Sequence, residues 1–184
     1  MVVDYDPSWP ARFRAIARGL RGRLGSAAER IDHIGSTAVP GLAAKDVIDV
    51  QITVLDLDAA DAWPSELMDG IVRSQRRTAG DHAPAGRADG QDWAKHYWSG
   101  SRVHVHVREL GRPNQRYALL FRDHLRADRA SAESYGQLKR ALVVAADGDW
   151  DHYYAVKDPA CDLIMAAAEE WARRTAWNPG RSDA

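Results

Sequence analysis

Two short stretches hold the residue types that do chemistry. The first runs His33-Ile34-Gly35-Ser36-Thr37, continues through Pro40 and Gly41, and reaches Lys45 and then Asp49 inside an apolar run. Gly35 has no Cβ, so a phosphate group could approach its backbone closely. Ser36 and Thr37 offer hydroxyls and backbone N–H donors to an anion. Lys45 adds a mobile positive charge. Asp49 stands between Ile48 and Val50, where a carboxylate needs a partner or a metal. The second stretch is Val103-His104-Val105-His106-Val107. Alternate residues of a strand share a face, so both imidazoles project together. Such a pair can bind a divalent metal, hold a phosphate or move protons.

Each stretch also has a plainer reading. Gly-Ser and Pro-Gly are common turn formers, and a His pair can be a hydrogen-bonded ornament on a solvent-facing sheet. No Gly-Lys-Ser/Thr follows the turn, which excludes a Walker loop, and the dinucleotide G-x-G-x-x-G is absent too. His33 either faces the same cleft or caps its strand.

The elements that must position these residues are legible in outline. Asp6 or Ser8 caps a first helix with Pro10 in its first turn. Trp9, Phe13, Ile16, Leu20 and Leu24 recur at helical spacing and form its buried face. Residues 30–34 and 47–54 read as strands. Asp56 opens a helix that Pro64 interrupts, and 71–78 reads as a strand. Residues 79–92 lack periodicity and form a long loop, the kind that is functional or mobile. Residues 95–98 and 102–108 form a hairpin turning at Ser99-Gly100-Ser101. After Pro113 the period becomes 3.6: Asn114 caps a helix to Leu125, Ser131 starts another to Ala145, Asp149 a short one, and Asp158-Pro159 the last. Residues 178–184 read as a disordered tail.

A chain of 184 residues makes one domain over 1–177: an α/β part over 1–110 and a helical part over 111–177. The single cysteine, Cys161, excludes an internal disulfide and a cysteine-based zinc cluster. It reads as a core filler in an apolar helix. A net charge of −1 argues against general nucleic-acid binding. With no signal peptide and no long apolar run, a soluble cytoplasmic protein with no membrane association is expected.

The block HIGSTAVPGLAAKDVIDV resembles the GrpB family, whose members have a nucleotidyltransferase-like fold. DYDPSWPARF, VHVHV, NQRYALLFRDHLRAD, SYGQLKRAL and YYAVK extend the resemblance, in order, over nearly the whole chain. The chain is also similar to the GrpB-type domain that follows the kinase in some dephospho-coenzyme A kinases, although no P-loop and hence no kinase half is expected here. The resemblance implies an α/β (α+β) fold: a small mixed sheet, surrounding helices and a helical C-terminal third. Nucleotidyltransferases hold two metal ions with three carboxylates. Asp49 matches the first position, Gln51 stands at the second without charge, and the third strand bears His104 and His106. This degenerate set disfavours two-metal chemistry. It suits one softer ion such as Zn²⁺, Mn²⁺ or Fe²⁺, or proton transfer by Asp49, His104 and His106.

Arg116 lies in a shared block and is expected to fork onto a phosphate or to make a surface ion pair. Lys139 and Lys157 also match family positions, but as mid-helix lysines they read as solvated faces. The expected ligand is a nucleotide or other phosphorylated small molecule held by Gly35, Ser36, Thr37, Lys45 and Arg116. Two other functions stand beside it. One is a metal-dependent lyase, cyclase or hydrolase in a small-molecule pathway. The other is a non-catalytic module supporting a partner such as dephospho-coenzyme A kinase.

Overall fold

A computed structural model describes residues 1–74, 80–84 and 93–184. Among them, six strands form one mixed sheet in the order β1-β2-β6-β5-β4-β3. These are β1 (Arg30–Ile34), β2 (Ile48–Val54), β3 (Glu66–Met68), β4 (Ile71–Arg73), β5 (His96–Gly100) and β6 (Val103–Glu109). The one parallel pair, β2 with β6, lies inside the sheet, and all other neighbours run antiparallel. Helix α1 is Trp9–Leu24. The C-terminal third consists of α2 (Pro113–Ala127), α3 (Arg129–Ala146) and α4 (Trp150–Thr175). The small mixed sheet, the surrounding helices and the helical C-terminal third match the expected architecture.

Strand alternation sorts β2 and β6 into two chemically opposite faces. Ile48, Val50, Ile52 and Val54, with Val103, Val105 and Val107, pack against Trp9, Phe13, Ala17 and Leu20 of α1 in the main apolar core. Asp49, Gln51 and Thr53 look the other way, in register with His104, His106 and Arg108. This polar row lies beneath the helices. Gln51 donates to the Gln115 carbonyl of α2 at 3.2 Å and accepts from Arg108 Nη1 at 2.6 Å. Burying such a row is tolerable only when its members satisfy one another.

Several element boundaries differ from expectation. Asp149 caps α4 by accepting from Asp151 N and His152 N, and the helix runs unbroken past Pro159. The cap fixes the start upstream, and proline costs only one intrahelical bond where packing holds the rest. Asp128, not Ser131, is the α3 cap, accepting from Ser131 N at 3.1 Å. The N-cap of α2 is Arg112 rather than Asn114. The helix expected from Asp56 is a 3₁₀ segment at Asp58–Ala62, followed by the short strand β3. Of the strand expected over 71–78, β4 covers Ile71–Arg73. Residues 75–78, and much of the expected loop 79–92, lie outside the described residues.

The tail 178–184, expected to be disordered, is tied to β1 instead. Ser182 Oγ accepts from Ile31 N at 3.0 Å and is placed to donate to the Ile31 carbonyl at 2.9 Å. Asp183 Oδ2 accepts from His33 N at 2.9 Å and from Arg122 at 2.7 Å. β1 is an edge strand, and an edge presents unpaired backbone groups that a polar segment can satisfy. No helix among the described residues is long and apolar enough to cross a membrane.

Candidate functional site

Neighbouring positions on parallel strands bring Asp49 and His104 into register. His104 Nδ1 lies 3.2 Å from Asp49 Oδ1, and His106 Nε2 lies 3.5 Å from the same oxygen. A carboxylate can only accept, so His104 donates from Nδ1. Burial works to raise the Asp49 pKa, but the hydrogen bonds from the two histidines outweigh it and hold the carboxyl well below the usual range. Burial pushes His106 down to about 4, against the pull of Asp49, so the ring is neutral at pH 7. Tyr97 of β5 packs its ring 5.1 Å from His106 and 5.6 Å from His104.

Gly35 is required by this cluster whatever ligand approaches it. Its φ is +70°, and a Cβ there would lie 2.5 Å from Asp49 Oδ2. The glycine makes room for the carboxylate. Thr37 is buried and shares a 3.0 Å hydrogen bond with His33 Nε2. His33 turns away from the cleft and stacks on Phe13 at 4.7 Å. Its register opposite Val50 puts it on the apolar side of the sheet.

A cleft of about 780 Å³ opens over Asp49, between the turn after β1 and helices α3 and α4. Ser36, Lys45, Asp49, His104, Lys139 and Lys157 are among its lining residues. Lys139, read from sequence as solvated, is buried. Its Nζ donates to Ser36 Oγ at 2.6 Å and to the Ala43 carbonyl at 2.5 Å. Burial, reinforced by the Lys157 charge, brings its pKa down to about 7. Lys157 lies 3.1 Å from Asp158. Burial opposes its charge, yet Cys161 and Asp158 hold its ammonium above the usual lysine range. Lys45 sits 3.7 Å from the Trp150 ring centroid and 4.8 Å from that of Tyr153, a cation–π arrangement.

Arg116, expected at the phosphate, stands elsewhere. It pairs with Glu169 at 2.5 and 3.0 Å and lies over the Trp177 ring at 5.5 Å. The helical face of α2 carries it towards α4 instead of the Asp49 cleft, so the surface ion-pair reading holds. Trp98 is fully buried in the core, and Trp93 is buried against Tyr117.

Sequence reasoning missed Asp81. Its carboxylate comes from the segment 80–84 and accepts from Arg108 at 2.7 and 3.0 Å, from Asn114 at 3.2 Å and from Lys95. Burial would raise its pKa, but the Arg108 charge and hydrogen bond overcome this and hold it low. Lys95 Nζ also lies 3.4 Å from His106 Nδ1.

The nucleotidyltransferase resemblance implies a divalent metal. Asp49, His104 and His106 each place one ligand atom within 4.8 Å of the others. Number and donor types suit one borderline ion. The surroundings do not. A metal-bound histidine donates its second ring N–H to a carboxylate, carbonyl or water, whereas His106 turns its second nitrogen to an ammonium. The residues present do not fit a resident cation.

Asp49, His104 and His106 thus lie together in the wall of a cleft that Lys45, Lys139 and Lys157 also line. The GrpB protein family model matches residues 1–167, and the chain belongs to the GrpB family. It is 40% identical to the dephospho-CoA kinase of Mycolicibacterium paratuberculosis over 97% of this chain and 48% of that protein. It is 34% identical to the UPF0157 protein SCO7215 of Streptomyces coelicolor over 89% of this chain and 79% of that one. The chain thus spans about half the length of the dephospho-CoA kinases it matches. Among solved structures it is similar to the conserved protein GrpB from Enterococcus faecalis, with a TM-score of 0.75 and 29% identity, covering 93% of this chain and 99% of that one.

Proposed function

We propose that this chain binds a phosphorylated small molecule, a nucleotide or a coenzyme A-type compound among them, and acts on it by proton transfer. The observation that carries this reading is Lys139. A lysine buried in the cleft wall donates to Ser36 and Ala43 and lies 4.5 Å from the Tyr135 ring centroid, and in this reading its third N–H serves the ligand. Lys45 and Lys157 line the same cleft and supply further positive charge. Asp49 fixes His104 by its Nδ1–H, which leaves Nε2 as the group that takes a proton from the ligand or a water. One carboxylate orienting one imidazole is a recurrent acid–base arrangement, and the chemistry comes from the site rather than the fold.

An anion beside Lys139 favours its charged form. Binding should therefore take up a proton above pH 7, and affinity should fall as pH rises through and beyond about 7, the value of the free lysine. Calorimetry of a phosphorylated hit in buffers of different ionisation enthalpy checks this. Affinity independent of pH between 6 and 9 would remove Lys139 from the binding site.

A second reading rests on the similarity to half of a dephospho-CoA kinase: the chain supports such an enzyme. Co-purification with a dephospho-CoA kinase tests it, and an isolated chain that turns over a phosphorylated substrate unaided counts against it.

A further inference from the structure

We propose that Lys95 decides what the Asp49–His104–His106 cluster accepts: it locks His106 as an Nε2–H donor and thereby excludes divalent cations. Lys95 acts in this way whichever ligand fills the cleft.

Lys95 is 8% exposed and precedes β5. Its ammonium has no lone pair, so towards His106 it can only donate, and Nδ1 can only accept. A neutral imidazole that accepts at Nδ1 carries its proton on Nε2, the nitrogen that lies 3.5 Å from Asp49 Oδ1. The proton pattern closes on itself: Lys95 to His106, and His106 to Asp49. A cation at Nε2 would need that nitrogen's lone pair. The proton would then have to move to Nδ1, where it would meet the Lys95 N–H bonds head on.

Neither partner can easily give way. Lys95 is anchored to Asp81, and Asp81 is anchored in turn by Arg108 and Asn114. Tyr97 packs 5.1 Å from the His106 ring. Arg108 brings a further positive charge to the same network. Without His106, the remaining ligands are one carboxylate and one imidazole, too few for a lone ion.

Two measurements test this on the full chain. Histidine ¹⁵N NMR of the wild type should show His106 as the Nε2–H tautomer. Equilibrium dialysis with Zn²⁺ and Mn²⁺ should show no binding that depends on His106. In Lys95→Gln the amide oxygen can accept from Nδ1–H, the partner a ligating histidine requires. That variant should gain metal affinity by about tenfold or more, and Lys95→Gln with His106→Ala should lose the gain. Three results overturn the proposal: an Nδ1–H tautomer in the wild type, wild-type metal binding that His106→Ala abolishes, or a folded Lys95→Gln with no gain. If Lys95→Gln does not fold, the wild-type tautomer decides.

Discussion

Gly35 and Lys139 show how residue type and residue role part company. Gly35 looks like a phosphate contact, yet its missing Cβ makes space for Asp49 Oδ2 at a positive φ. Gly35→Ala should therefore lower stability by roughly 1–3 kcal/mol through backbone strain and displacement of the carboxylate. Urea unfolding measures this, and an unchanged midpoint would contradict it. Lys139 looks like a solvated helical lysine because helix periodicity does not show what packs on each face. Its acceptor, the Ala43 carbonyl, lies 96 residues away in sequence, a contact that no local pattern reveals. His33 is another residue whose environment matters more than its type. Burial lowers its pKa to about 4. The unfolded chain then binds more protons than the folded one between pH 6.5 and 4. Stability present above pH 6.5 is lost as pH falls through this window. In His33→Phe that decline should flatten in melts from pH 7 to 4, and a decline identical to the wild type's would rule out the assignment.

At the scale of elements, period-two alternation made the strands β1, β2 and β6 readable and predicted the shared face of His104 and His106. Alternation alone could not pair β2 with β6, because a parallel neighbour is set by the crossover and not by local pattern; the family resemblance did, by setting Asp49 on a strand beside that of His104 and His106, as the register has it. That pairing creates the Asp49–His104 contact. The same limit hid Asp81, a loop residue whose partners on β6 and α2 are distant in sequence. The tail is an element-level surprise for a related reason: polar composition reads as disorder, while β1 offers an edge to pair with. Asp183 accepts from the His33 amide and from buried Arg122. Asp183→Ala should cost about 1–3 kcal/mol, since a buried charge loses a partner. The His33 amide should also exchange faster with deuterium. Unchanged stability together with unchanged exchange would show the tail to be a passive appendage.

The whole molecule divides labour between its two parts. The sheet supplies the acid and histidines in fixed register, and the helical third lowers lysines onto them. Composition gave no hint of this, because a net charge of −1 does not show that lysines and aspartates gather along one cleft. In the proposed function the lysine end of the cleft binds and the Asp49–His104 pair reacts. Calorimetric titration of a phosphorylated ligand against wild type, Lys139→Met and His104→Gln tests it most directly. Losing a hydrogen bond from a charged donor should weaken binding by roughly tenfold to a hundredfold in Lys139→Met, while His104→Gln should stay within about threefold of wild type. Undiminished affinity in Lys139→Met, or a loss confined to His104→Gln, would contradict the account.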